Sequence, residues 1–179
     1  MSREVIRLCK KEDPKAQQTL YESFSQRIFG LCFRYVKNEF EAEDLVISTF
    51  LKVFQHIKKF DYQSEKGLEN WIRRIAVNES LMLLRKRNNF NLVPSDNAED
   101  VNSDLSPVAD LNSEDLYKLI ASLPEGYRTV FNLYIIEGYS HKEIAVQLEI
   151  SESTSKSQLS KAKAALRRMI DKNNLAYGT

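Results

Sequence analysis

The chain has 179 residues, enough for one ordinary domain or two small ones. Its 26 Lys and Arg nearly balance 25 Asp and Glu, and 42% hydrophobic with 28% charged residues is a folding rather than a disordered composition. With 5 Gly, 4 Pro and 2 Cys, collagen, a glycine-turned barrel, a fold built on glycine-rich nucleotide loops and a secreted disulfide scaffold are poor fits. No stretch approaches the roughly 18 to 20 apolar residues of a membrane span. The amino terminus, with Glu4, Lys10, Lys11, Glu12 and Asp13, has no continuous apolar secretion core. A cytoplasmic protein without membrane insertion is expected, with Cys9 and Cys32 as buried free thiols in helical segments.

The first elements in chain order are helices. Asp13 and Pro14 form a cap and first-turn pair, and Leu20, Phe24, Ile28, Leu31 and Tyr35 then recur every three or four residues. Asn38 caps a second helix, with Glu39, Glu41, Glu43 and Asp44 near its positive end and Leu45, Val46, Phe50, Val53, Phe54 and Ile57 at helical spacing. A third pattern uses Leu68, Trp71, Ile72, Ile75, Ala76, Leu81 and Leu84 and runs into Arg85, Lys86 and Arg87. No useful strand alternation competes.

From Asn88 to Asn112 the sequence is rich in Asn, Asp and Ser, contains Pro94 and Pro107, and holds no helical stripe for long. Charge marks the same joint: residues 1–93 carry +5, residues 94–115 carry −7 with no basic residue, and residues 116–179 carry +3. The expected organisation is all-α: a helical domain over 1–93, an acidic flexible linker over 94–112 and a second helical domain over 113–179. A single domain with a long surface loop is the alternative.

In the second domain Ser113, Leu116, Leu119, Ile120 and Leu123 open a helix that Pro124 interrupts. The next carries Val130, Phe131, Tyr134 and Ile135 and stops at Gly138. Ser140 and Glu143 form a capping box before a short helix with Ile144, Ala145 and Leu148. A last helix runs from about Ser153 to Lys172, with 6 basic residues and one acidic. This is a helix-turn-helix pattern. Leu159, Ala162 and Leu166 point inward, while Lys156, Gln158, Ser160, Lys161 and Lys163 point outward. Glu149 stands where such hairpins often have glycine, so the short helix is expected to end without a left-handed residue. The final helix suits a major groove. Ser153 and Thr154 offer hydroxyls beside free backbone N–H groups, Lys156 and Lys163 suit phosphates, and Gln158 can read a base edge; Ser157, Ser160 and Lys161 complete the candidate duplex surface. A plain bundle with a polar face remains the alternative on these residues alone.

Enzyme chemistry finds little support. His56, His141 and the two Cys do not form spaced metal-ligand sets, and no glycine-rich phosphate loop occurs. No catalytic residue, cofactor, metal or small-molecule substrate is expected. Glu39, Glu41, Glu43 and Asp44 could suggest a divalent metal site, but a helix amino terminus and a protein contact explain the cluster more cheaply.

Two blocks of this sequence resemble bacterial RNA polymerase sigma factors of the sigma-70 family, extracytoplasmic-function group. The later block comprises Leu123-Pro124-Glu125-Gly126-Tyr127-Arg128, Glu137-Gly138-Tyr139-Ser140-His141-Lys142-Glu143-Ile144-Ala145 and Ile150-Ser151-Glu152-Ser153-Thr154. The earlier one comprises Glu41 to Val46, Thr49 to Phe54 and Trp71 to Asn78. The resemblance implies a region 2-like first domain that binds core RNA polymerase and recognises and melts the minus-ten element. It implies a region 4-like second domain that reads the minus-thirty-five element, and an anti-sigma factor as a further partner. It places polymerase contact on Asp44, Leu45, Thr49, Phe50 and Phe54, with part of the apolar set holding the helix in its own domain. Single-strand contact falls on Arg73, Arg74, Asn78, Arg85, Lys86 and Arg87, in a segment (66–87) with 6 basic and 2 acidic residues. Phe60 and Tyr62 lie just before it, and Trp71 is either core or a base contact. Met82 stands where several members carry aspartate. Ser155 stands where relatives often carry valine, which predicts looser packing of the last helix.

Overall fold

The computed structural model describes residues 1–87 and 113–177, with helical backbone alone over 113–116 and 172–177. Every regular element among the described residues is helical. The expected linker, 94–112, lies outside them. The chain divides into two compact units, Met1–Leu84 and Arg85–Thr179, the division falling in the last turn of a helix.

The first unit contains α1 (Arg3–Cys9), α2 (Pro14–Val36), α3 (Glu39–His56), a 3₁₀ turn (Ile57–Lys59) and most of α4 (Glu65–Lys86). The starts reflect local chemistry. The Asp13 carboxylate accepts the Ala16 N–H at 2.8 Å with Pro14 in the first turn, and Asn38 Oδ1 accepts the Glu41 N–H at 3.1 Å. Each satisfies a donor the helix leaves open. The core takes Leu20, Phe24, Ile28, Leu31 and Tyr35 from α2, Leu45, Val46, Phe50 and Val53 from α3, and Leu68, Ile72, Ala76, Leu81 and Leu84 from α4. Each larger apolar side chain among them contributes about 1.5–3 kcal/mol relative to exposure. Tyr21 meets Phe50 edge-on, with ring centroids 4.9 Å apart. Cys9 and Cys32 are free and buried.

The second unit contains α5 (Ser113–Ser122), α6 (Glu125–Phe131) continued by a π-helical stretch (Asn132–Ile136), α7 (His141–Leu148) and α8 (Glu152–Tyr177). The last helix is longer than its expected span. α6 and α7 both pack on α8 around Val130, Phe131, Leu133, Ile144, Leu148, Leu159, Ala162 and Leu166. Arg128 is buried and donates from Nη1 to the Leu123 carbonyl at 2.8 Å. Tyr134 and Ile135, expected on the same stripe as Val130 and Phe131, are instead 37% and 43% exposed, and Leu133 takes the inward place. The cause is the wider turn: the Glu137 N–H reaches back to the Asn132 carbonyl at 2.9 Å, and the extra residue in the turn rotates Tyr134 and Ile135 outward. Gly138, with φ 78°, then ends the element.

Candidate nucleic-acid interface

The α7–α8 hairpin is fixed at three places. Ser140 Oγ accepts the Glu143 N–H at 3.3 Å while the Glu143 carboxylate accepts the Ser140 N–H at 2.8 Å, a complete capping box. Glu149 takes a left-handed backbone, φ 57° and ψ 40°, which corrects the expectation that α7 ends without one. Two backbone bonds hold it: the Glu149 and Ile150 N–H groups both donate to the Ala145 carbonyl, the second at 3.0 Å. At the third place Ser151 caps α8, its Oγ accepting the Thr154 N–H at 3.0 Å and lying 2.7 Å from the Ser153 and Thr154 hydroxyls.

Along α8, Ser153 and Lys156 are exposed, and Thr154, Ser157, Ser160, Lys161 and Lys163 are half-buried. Lys156 pairs with Glu152 at 2.8 Å, an exposed pair that holds the Glu152 carboxyl below its usual range. Gln158 does not share this surface. It is buried, 7% exposed, so its outward placement is corrected. With Ser155, Leu159 and Ala162 it falls on the stripe packed inside the unit. Ser155 is fully buried too, yet it does not loosen the packing as expected. Its hydroxyl lies 2.9 Å from His141 Nδ1, and that ring stacks on Tyr134 at 4.3 Å. Burial, then Lys156, push His141 below its ordinary value. The exposed Lys142, Arg167 and Arg168 extend the cationic surface beyond the expected residues. Their helical register with Lys156 and Lys163 was the signal for the last two.

On α4, Arg74, Asn78, Met82 and Arg85 recur every three or four residues and are all exposed, so they line one face. Lys86 is exposed, and Arg73 and Arg87 are half-buried beside that face. Met82, where several members carry aspartate, thus stands on this exposed face. Trp71 is half-buried and stacks on Phe60, with centroids 4.4 Å apart and planes 20° from parallel.

α3 carries the third surface, and here the expected residues separate. Asp44 is exposed and Phe54 half-buried, but Leu45 (5% exposed), Thr49 (0%) and Phe50 (2%) face the core, and Thr49 donates to the Leu45 carbonyl at 2.7 Å. Those three therefore hold α3 in its own unit, the task expected for part of the apolar set, and are not on its solvent face. The solvent face instead shows Phe40, Ile47 and Leu51, 79%, 54% and 57% exposed, in register with Asp44. Their spacing was a signal available in the sequence, a second apolar stripe one step round from the core stripe. A groove of about 400 Å³ beside it is lined by Tyr21, Ser25, Gln26, Phe29, Glu43, Val46 and Ile47.

Among the described residues no helix is long and apolar enough to cross a membrane, and no group of three His, Cys, Asp or Glu side chains is placed to hold a metal ion. Residues 20–90 match the family model for sigma-70 region 2, and residues 113–166 match that for sigma-70, region 4. The chain is 29% identical over 161 residues to the ECF RNA polymerase sigma factor SigE of Mycolicibacterium smegmatis, an alignment that takes in 87% of this chain and 62% of that relative. It is 27% identical over 183 residues to the ECF RNA polymerase sigma factor SigW of Bacillus subtilis, covering 95% of this chain and 97% of the other. Among solved structures it shares its fold with the sigma factor RpoE, in complex with the anti-sigma factor NepR, from Bartonella quintana: TM-score 0.51, 23% identity, 86% of this chain and 96% of that one. Two region models in the order expected from the sequence, on two all-helical units, place the chain in the sigma-70 family of RNA polymerase sigma factors, extracytoplasmic-function group.

Proposed function

We propose that this chain binds core RNA polymerase, directs it to specific promoters and helps open them, acting as an initiation factor with no catalytic reaction of its own. The observation that carries this is the presence in one chain of region 2 and region 4, each presenting a helix with an exposed cationic face. In the second unit, α8 enters the major groove of the minus-thirty-five element. Lys156, Lys161 and Lys163 neutralise phosphates, while Ser153, Thr154, Ser157 and Ser160 supply hydroxyls to backbone and base edges. In the first unit, Arg73, Arg74, Asn78, Arg85, Lys86 and Arg87 track the separated strand of the minus-ten element. Polymerase docks on α3 through Asp44, Phe54 and the exposed Phe40, Ile47 and Leu51, where desolvation of apolar side chains supplies affinity around a charged contact. The domains expected over 1–93 and 113–179 take these two tasks, with 94–112 as an acidic tether.

The setting is cytoplasmic, where polymerase works. An anti-sigma factor is a further partner, as in the Bartonella quintana complex. Run-off transcription with purified core polymerase and fragmented genomic DNA tests the whole proposal. Initiation at discrete sites only when this protein is added supports it, and identical transcripts with and without the protein defeat it.

A further inference from the structure

Between Arg73 and Arg87 the only acidic residue in the sequence is Glu79, and it does not join the exposed face of α4. Glu79 is 5% exposed, and its carboxylate accepts a bond from Lys52 Nζ of α3 at 2.5 Å. Its charge is also felt on α2. The Cys32 thiol is pushed up to about 11, chiefly by burial but also by Glu79, against the bond from the neighbouring Ser80 and the charge of Arg34. Glu79 thus lies where α2, α3 and α4 come together.

Stability alone is a poor reason for such a pair. Glu79 is taken out of water while the Lys52 side chain keeps 42% of its surface exposed, so the desolvation of the carboxylate offsets much of an attraction that solvent already weakens. What the ion pair adds is a tether: the Lys52 ammonium, a point charge on a flexible stem, must stay within reach of one buried carboxylate. Leu68, Ile72, Ala76 and Leu81 hold α4 to the core by non-directional burial, which tolerates small slides and rotations. A slide large enough to part Lys52 from Glu79 leaves a buried carboxylate unpaired, and that is strongly unfavourable. Its position matters as well: Lys52 is next in sequence to Leu51 of the exposed apolar face of α3, and Glu79 is next to Asn78 of the exposed face of α4. The pair therefore joins the surface proposed for polymerase docking to the surface proposed for strand capture.

We infer that Lys52 and Glu79 are a positioning pair that locks α4 in register with α3, so that polymerase docking presents the strand-binding face in one orientation. The inference rests on the sigma-factor proposal. Its test uses the full chain in two paired variants, Lys52→Met with Glu79→Leu, and the exchange Lys52→Glu with Glu79→Lys. Thermal midpoint, affinity for core polymerase, and the rate of minus-ten opening by a fluorescent base are measured for each. The apolar pair is expected to keep the midpoint and the core affinity yet slow opening about tenfold or more, a rise of about 1.4 kcal/mol or more in the barrier. The exchanged pair is expected to recover most of that rate, and it carries the test if the apolar pair does not fold. Opening by the apolar pair within about twofold of the parent, a barrier change well under that of a tenfold loss, overturns the inference. So does a loss that merely tracks core affinity or thermal stability. A parent chain that opens no promoter with core polymerase defeats the sigma-factor proposal itself.

Discussion

Gln158 sits on α8 with 7% of its surface exposed and an amide oxygen that finds no hydrogen-bond partner among the described residues. A buried unpaired acceptor costs about 1–3 kcal/mol. Gln158→Leu, close in volume, is therefore expected to stabilise the second unit by about 1 kcal/mol, read as a rise in thermal midpoint. Discrimination on a panel of minus-thirty-five variants should stay unchanged; loss of discrimination at one base pair would show that Gln158 swings out to read it. Glu149 offers the complementary case, because its left-handed backbone is strained for any residue with a side chain beyond glycine. Glu149→Gly should gain about 0.5–1 kcal/mol in urea unfolding, the released strain exceeding glycine's extra entropy cost. Neither environment is written in the sequence. Leu159, Ala162 and Leu166 mark the inward side of α8 in the sequence, but Ser155 and Gln158 are polar, so residue type does not reveal that they join it.

At the scale of elements, the two stripes of α3 predict opposite outcomes. Ile47→Glu should abolish most binding to core polymerase in a pull-down titration while leaving the unfolding free energy within about 0.5 kcal/mol of the parent, as exposed substitutions do. Phe50→Ala should instead cost about 3–5 kcal/mol of stability through the cavity it leaves. The α7–α8 hairpin carries a pH response. His141 titrates below its ordinary 6.5 because burial, then Lys156 and Lys163, disfavour the charged ring against the pull of Glu152. The unfolded chain thus takes up the proton first. The stability from the neutral ring is whole above about 6.5 and falls as the solution is acidified below it. Urea midpoints across that range should show the loss, and His141→Gln should flatten it. Helix starts were legible in advance, since Asp13, Asn38, Ser140 and Glu143 act on N–H groups three residues away. The π-helical stretch was not, because no cap or breaker residue within Asn132–Ile136 announces a wider turn.

For the whole molecule, the near-zero net charge conceals a strong division of sign, with −7 over residues 94–115 between basic segments of +5 and +3. An acidic segment tethered to cationic surfaces competes with DNA for them, weakly per charge and subject to screening. Replacing Asp96, Glu99, Asp100 and Asp104 with Asn or Gln should raise affinity for a promoter duplex at low salt and steepen its salt dependence. Unchanged affinity and slope would leave the segment as a tether only. Overall architecture was the most legible level, because helical periodicity, caps and the charge break each act over few residues. The faces used for partners were less so: Leu45, Thr49 and Phe50 share helix α3 with Ile47 and Leu51, and only packing on α2 separates the two sets.

The two buried thiols leave the native chain almost inert to sulfur-directed reagents. Cys9 and Cys32 are the only cysteines, both lie inside the first unit, and burial raises both thiols, Cys32 to about 11. Since the thiolate is the reactive form, little of either is available to a maleimide at neutral pH. A cysteine placed at the exposed Gln55 or Lys142 becomes the reactive handle without removal of the native pair. Dyes can thus be seated on either unit, and the separation of the two tracked as core polymerase and promoter are added.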